Sequence, residues 1–201
     1  MKILLLADEP EPMLWEHLKK ERLKDIDLIL SCGDLPAAYL SFLTCFCTAP
    51  ILYVRGNHDD RYDKHPPEGC ICIEDKLYVI DGVRILGLGG SMRYKEGVNQ
   101  YTERQMARRA ARLSWTIRRR KGFDILLTHA PAYQLGDDTD LCHRGFDTFR
   151  RLMHRYKPAY MVHGHVHKSY TPNFIRTRTF EDTQVINAYG SYVIELPGRA
   201  R

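Results

Sequence analysis

Ile51-Leu52-Tyr53-Val54-Arg55-Gly56-Asn57-His58-Asp59 is the stretch whose reading decides the fold. Four apolar, β-favouring residues lead to a glycine, and an amide, an imidazole and a carboxylate come directly after it. The first part reads as a buried strand. Gly56 permits a turn that a residue with a Cβ would resist. In open α/β sheets chemistry gathers beyond the carboxyl ends of the strands. Here Asn57 offers a carbonyl oxygen to a hard cation, His58 can exchange a proton near neutral pH, and Asp59 could orient that imidazole.

The same plan recurs on both sides of this stretch. Upstream, Ile3–Ala7 is apolar throughout, as a parallel strand covered on both faces requires, and ends at Asp8. Pro12 opens a predicted helix with Leu14, Trp15 and Leu18 on its apolar face. Ile26–Leu30 is a second strand ending at Cys32-Gly33-Asp34, and Pro36 starts a helix carrying Leu40, Leu43 and Phe46. The β-α-β-α-β order predicts a layered α/β fold. Downstream, residues 60–76 read as a loop, and Asp81-Gly82 joins Leu77–Ile80 to Val83–Leu88 as a hairpin. Gly87, Gly89 and Gly90 fit neither known phosphate-loop pattern and read as a tight structural turn; Arg93 and Tyr94 just beyond could reach an anion, with a solvated loop the preferred reading.

Tyr101–Arg120 predicts a long helix whose apolar stripe is Met106, Ala110, Leu113 and Ile117, widened by Ala111 and Trp115. Phe123–Thr128 is a strand ending at His129. The polar loop 132–143 holds Asp137, Asp138 and Asp140 but lacks the glycine and terminal glutamate of a calcium loop. Phe146–Tyr156 reads as a helix, and Ala159–Val162 as a strand ending at His163-Gly164-His165-Val166-His167. The runs Tyr170–Phe180, Gln184–Asn187 and Ser191–Leu196 predict a second, more antiparallel sheet.

At 201 residues, with 44% hydrophobic and 27% charged, the chain fits one domain spanning 1–201 with an ordinary globular core. Its net charge of +5 favours anionic substrates without demanding nucleic acid. Arg104, Arg108, Arg109, Arg112, Arg118, Arg119, Arg120 and Lys121 crowd the long helix. They read as a solvated face, with cations favoured in the last turn; a nucleic-acid surface is the second choice. Six cysteines without a C-x-x-C pair point to reduced thiols. With no secretory signal and no run of membrane-spanning length, a cytoplasmic protein without a membrane partner is expected.

The strands run out, in chain order, at Asp8; at Asp34; at Asn57 and His58; at His129; and at His163, His165 and His167. A sandwich of two sheets could bring these strand ends to one edge. Mixed oxygen and nitrogen donors suit Mn, Fe or Zn better than Mg or Ca. The set suffices for two ions sharing one carboxylate. Ions roughly 3.5–4 Å apart clamp the attacking and leaving oxygens of a phosphoryl group.

The ordered set Asp8, Gly33-Asp34, Gly56-Asn57-His58-Asp59, His129 and Gly164-His165-Val166-His167 resembles the calcineurin-like metallophosphoesterase superfamily. Gln184–Tyr192, with Asn187 and Gly190-Ser191, is similar to that family's closing strands. The resemblance implies an α/β fold, a two-sheet β-sandwich flanked by helices in αββα layers. It implies a metal-dependent phosphohydrolase acting on a phosphate ester, with diesters ahead of monoesters. It also implies two divalent ions (Mn, Fe or Zn, with Mn expected in vitro). Asp34 would bridge them, Asp8 and His167 would hold the first, and Asn57, His129 and His165 would hold the second. His58 would lie over the substrate phosphate with Asp59 orienting it, and hydroxide generated at the centre would attack phosphorus in line.

The family's first motif is usually Asp-x-His, whereas here it is Asp8-Glu9-Pro10. Pro10 brings no side-chain ligand, so Glu9, Glu11 or water would complete the first site, and a weaker first ion is expected. The same departure supports an alternative, a binding scaffold that keeps the fold without turnover. His163 reads as a strand end, and His17, His65, His143 and His154 lie outside the motifs and need no role.

Overall fold

The computed structural model describes residues 1–167 and 174–196. β1 (Lys2–Ala7), β2 (Leu28–Ser31), β3 (Ile51–Tyr53) and β4 (Ile71–Cys72) run parallel in that order. β5 (Lys76–Ile80) and β6 (Val83–Leu88) form the expected hairpin. Asp81 and Gly82 at its turn have φ of 46° and 79°, the two left-handed residues that a tight primed turn demands. β7 (Ser91–Met92) and β8 (Gln100–Tyr101) make a small parallel pair. β9 (Ile125–Thr128) lies parallel to β6 and to β10 (Tyr160–His163). β11 (Thr177–Phe180) and β12 (Thr183–Asn187) extend the second sheet, and β13 (Gly190–Glu195) pairs antiparallel with β1. The sheets are thus ordered β13-β1-β2-β3-β4 and β11-β12-β10-β9-β6-β5.

Strand alternation builds the layers. Ile3, Leu5, Leu28, Leu30 and Leu52 meet Ile85, Ile125, Leu127, Val162 and Ile186 between the sheets. The intervening residues Leu4, Leu6, Ile29 and Ile51 turn outward to Tyr39, Leu40 and Leu43 of α1 (Ala37–Thr44). On the other side Leu86, Leu126, Met161 and Val185 meet α2 (Glu103–Arg119) and α3 (Asp147–Tyr156). The result is the αββα arrangement, and both faces of each central strand are covered.

α2 opens with a reciprocal Thr102–Gln105 capping box, and Met106, Ala110, Leu113 and Ile117 are buried as the spacing predicts. Ala111 and Trp115 do not widen the stripe. Both are exposed, Trp115 by 66%. Ala111 lies one residue, about 100° of helix, past buried Ala110, and Trp115 falls between the turns that bury Leu113 and Ile117. Arg109, by contrast, is buried.

Three other expectations are corrected. The segment after Pro12 is not an α-helix but two 3-10 turns, Pro12–Leu14 and Lys20–Arg22. Leu14 is buried there, and Trp15 lies edge-on across Tyr39 and Phe42 at 5.3 and 5.2 Å, so little apolar surface needs a helix to hide it. Phe46 lies past the end of α1 and is partly exposed. The tail builds no sheet of its own: β12 adds in parallel to β10 while β13 crosses to the first sheet. Positions 170–173 of the expected tail strand lie outside the described residues. All six cysteines are free, and among the described residues no helix is long and apolar enough to cross a membrane.

Candidate metal centre

Stacking the two sheets puts the carboxyl ends of β1, β2, β3, β9 and β10 along one edge. A cavity of about 190 Å³ opens there, lined by Asp8, Asp34, Asn57, His58, Tyr94, Cys142, His143, His165 and His167. Buried His129 backs two of these lining residues, its Nε2 3.0 Å from Asn57 Oδ1 and 3.3 Å from Asp34 Oδ2.

The geometry of His129 shows what the cavity is suited to hold. Its Nδ1 lies 2.9 Å from the Cys32 carbonyl, which can only accept, so Nδ1 carries a proton. The lone pair of a neutral ring would then face two acceptor oxygens. A proton or a cation at Nε2 reconciles them. Without metal the ring takes the proton: burial works against the charge, but Asp34 and, more weakly, Asp8 raise its pKa to about 9. Burial likewise works to raise Asp34, and the neighbouring His129 holds it well below the usual carboxylate range. The donor set therefore fits a divalent ion.

Asp34, His129 and His165 offer ligand atoms within 4.8 Å of one another. His165 Nε2 lies 2.6 Å from the Cys142 carbonyl, which leaves Nδ1 as the nitrogen available to an ion. The backbone N–H of His165 donates to both oxygens of Asp8 at 2.9 Å. The Asp8 side chain is buried, which pushes its pKa up to about 7, and its Oδ1 lies 3.8 Å from His167 Nε2. Asp34 is near enough to act electrostatically on both Asp8 and His167. The fold thus brings all six expected ligands together, Asp8 beside His167 and Asn57, His129 and His165 around Asp34.

The backbone is shaped to this end. Asp8, Asp34 and His165 hold φ of 65°, 56° and 70°, sparsely populated values for residues with side chains. A Cβ on Gly56 would stand 2.0 Å from Asp34 Oδ1, and one on Gly164 would stand 2.6 Å from Asp8 Oδ2. Both glycines are cradles for a carboxylate.

Asp59 is not against the His58 ring. Its Oδ2 accepts from the amides of Gly56 (2.7 Å) and Asp34 (2.9 Å), tying the β2 and β3 loops together. His58 is exposed at the rim, and its own amide donates to Asp34 Oδ1 at 2.8 Å. Neither acid flanking Pro10 lines the cavity: Glu9 accepts from the Tyr189 hydroxyl, and Glu11 from that of Ser191 at 2.7 Å. Gly89 is structural, since its amide donates to Glu74 and its carbonyl accepts from Arg109. His163 ends β10, fully buried, and burial pulls its pKa down to about 4.

Three further cavity residues come from the loops 91–100 and 132–143, which the sequence marks as places where specificity would be set. Tyr94 lines the wall, whereas Arg93 turns to the Gln100 carbonyl. Cys142 and His143 come from the polar loop 132–143, and with Asp140 they form a second cluster of donors within 4.8 Å. The available signal was Asp140-x-Cys142-His143 itself, three potential donors in four residues.

A two-sheet sandwich that presses carboxylates and imidazoles from five strand ends into one cavity defines a metallophosphoesterase-type protein. The sequence profile of the calcineurin-like phosphoesterases matches residues 7–169, and the chain belongs to that family. Among solved structures it is similar to TT1561 of Thermus thermophilus, at 18% identity and a TM-score of 0.65, over 94% of this chain and 89% of that one. It is also similar to GAP50, the anchor in the inner membrane complex of Plasmodium, at 13% identity and a TM-score of 0.56, over 93% and 70% of the two chains. At these identities the likeness is one of fold. Among proteins of curated function none matches significantly.

Proposed function

We propose that the chain is a metal-dependent phosphoesterase that cleaves phosphodiesters in preference to monoesters. The observation that carries this reading is the His129 corner, where a ring nitrogen and two acceptor oxygens converge within 3.3 Å beside Asp8, His165 and His167. Divalent ions held there supply Lewis acidity toward phosphoryl oxygens and make hydroxide available at neutral pH. Asp34 is the shared carboxylate. Asp8 and His167 serve one position, and Asn57, His129 and His165 the other. His58, exposed at the rim, is placed to hydrogen-bond a phosphoryl oxygen and to protonate the departing one. Among the described residues no lysine or arginine lines the cavity. A dianionic monoester therefore finds no side-chain cation for its second charge, which favours the monoanionic diester.

The test is to strip the protein with chelator, reload it with Mn, and measure bound metal and hydrolysis of bis-p-nitrophenyl and p-nitrophenyl phosphate. The expected outcome is two ions, one weaker because Pro10 replaces a ligand, and faster turnover of the diester. Two equally tight ions would contradict the weakened site, and a faster monoester would reverse the substrate preference. The second reading, a scaffold without turnover, rests on Pro10. It gains support if metal binds and neither ester is cleaved.

A further inference from the structure

Residues 137–145 form neither helix nor strand, yet the stretch is closed on itself. Gly145 N donates to Asp137 at 3.1 Å, and Asp138 N donates to the His143 carbonyl at 3.3 Å. Inside this closure Asp140 Oδ1 accepts from the amides of Cys142 (2.9 Å) and His143 (3.0 Å), and Oδ2 lies 2.8 Å from His143 Nδ1. The peptide between Cys142 and His143 therefore has both ends occupied. Its N–H goes to Asp140, and its carbonyl accepts from His165 Nε2 at 2.6 Å. A trans peptide is planar, with N–H and C=O pointing opposite ways, so a grip on one aims the other. The His143 ring adds a lateral stop, its centroid 5.3 Å from that of His165.

We propose that Asp140 is a positioning residue for the metal centre: by holding the His143 amide it aims the Cys142 carbonyl at His165 Nε2, and so presents His165 Nδ1 as a ligand. The inference rests on the metal-centre reading above. It gives the loop 132–143 a task that its composition does not announce. It also assigns the Cys142 thiol none, although Sγ lies 2.8 Å from Asp140 Oδ1. The carboxylate acts as an acceptor for two amides, so an asparagine carbonyl at the same place serves nearly as well.

The experiment is a competition titration of Mn against a chelator on the full chain, for wild type and for Asp140→Ala, Asp140→Asn and Cys142→Ala, with the melting temperature of each metal-free protein as the folding control. D140A is expected to weaken one ion by about 10–100-fold, the usual consequence of losing a group that orients a metal-bound histidine. D140N and C142A are expected to stay within about threefold of wild type. D140L, which also lacks an acceptor, replaces D140A should the alanine variant not fold. A D140A protein that binds both ions as wild type does overturns the inference and leaves the metal centre standing. D140N falling together with D140A overturns it by moving the effect to the Asp140–His143 pair. Loss of metal in C142A overturns it by making the thiol a ligand. Failure of the wild type to bind any ion is separate, since it removes the metal-centre reading itself.

Discussion

His129 has one nitrogen committed to the Cys32 carbonyl and the other turned to two oxygens, so its chemistry is set by neighbours far away in sequence. The candidate ligands were legible because Asp8, Asp34, Asn57, His129, His165 and His167 follow five recognisable strands and match the motifs of the family the chain resembles. The partners were not. Asp59 reads in sequence as a partner for His58, yet its short side chain reaches back to the Gly56 and Asp34 amides, an orientation set by the turn and not by adjacency. On the proposed mechanism, His58 alone is then left to handle the leaving oxygen. H58A is expected to lower kcat on the diester by about 10²–10⁴-fold with metal content unchanged, the span usual for losing a proton-transfer group. Equal turnover in H58A and wild type would remove His58 from the chemistry. His163 makes a pH prediction. An unfolded histidine takes a proton below about pH 6.5, the buried one only near 4. Between those values the unfolded chain binds more protons, so stability is full above pH 7 and falls as pH drops, by up to about 3 kcal/mol. The urea midpoint of wild type is expected to drop further than that of His163→Gln between pH 7 and 4.5, and parallel curves would refute this.

Element by element, what could be read was what is local. The Asp81-Gly82 turn and the Met106-Ala110-Leu113-Ile117 stripe carry their own instructions. The two-residue strand β4 exists only because β3 is there to pair with it, and no pattern marked it. Arg109 is the sharper case. In a run of arginines nothing local distinguishes it, but α2 delivers it to Glu74 and Asp75, which immediately precede β5. It ion-pairs with Glu74, lies 2.9 Å from Asp75, donates to the Gly89 carbonyl at 2.8 Å, and stacks over Tyr101 at 4.1 Å. Glu74 in turn holds the amides of Arg55 and Gly89, so this side chain braces the loop behind Gly56. Arg109→Met keeps the aliphatic bulk and strands Glu74 in a part-buried site. The expected cost is about 3 kcal/mol in chemical denaturation, since removing one partner leaves the other charge uncompensated. A loss under about 1 kcal/mol, the range of a surface pair, would show the network to be ornamental.

At the scale of the whole molecule the centre exists because the two sheets meet, and this could not be read from any one segment. β13 closes the first sheet against β1 from the opposite end of the sequence, and its pairing brings Gly190 opposite Ala7, next to Asp8. Folding thereby concentrates acids and imidazoles that repel or compete for protons, and the pH dependence of the metal-free chain is a consequence. Unfolded Asp8 ionises near pH 4, but its buried form does so only near 7, so the native state binds the extra proton and loses stability as pH rises between them. His129, paired with Asp34, contributes fully below about pH 6.5 and loses that contribution as pH climbs through about 9. Divalent ions held as proposed would take the place of these protons, so their binding would release protons and tighten with pH. At 100 times its dissociation constant an ion adds about 2.7 kcal/mol. For a chain of this length that is about 5–11 °C in Tm. At a fixed Mn concentration the rise in Tm over the chelator-treated protein is therefore expected to be larger at pH 8.5 than at pH 6. The same rise at both values would mean that Asp8 and His129 do not exchange a proton for the ion, and that the cavity is held together by something other than the charge it was built to receive.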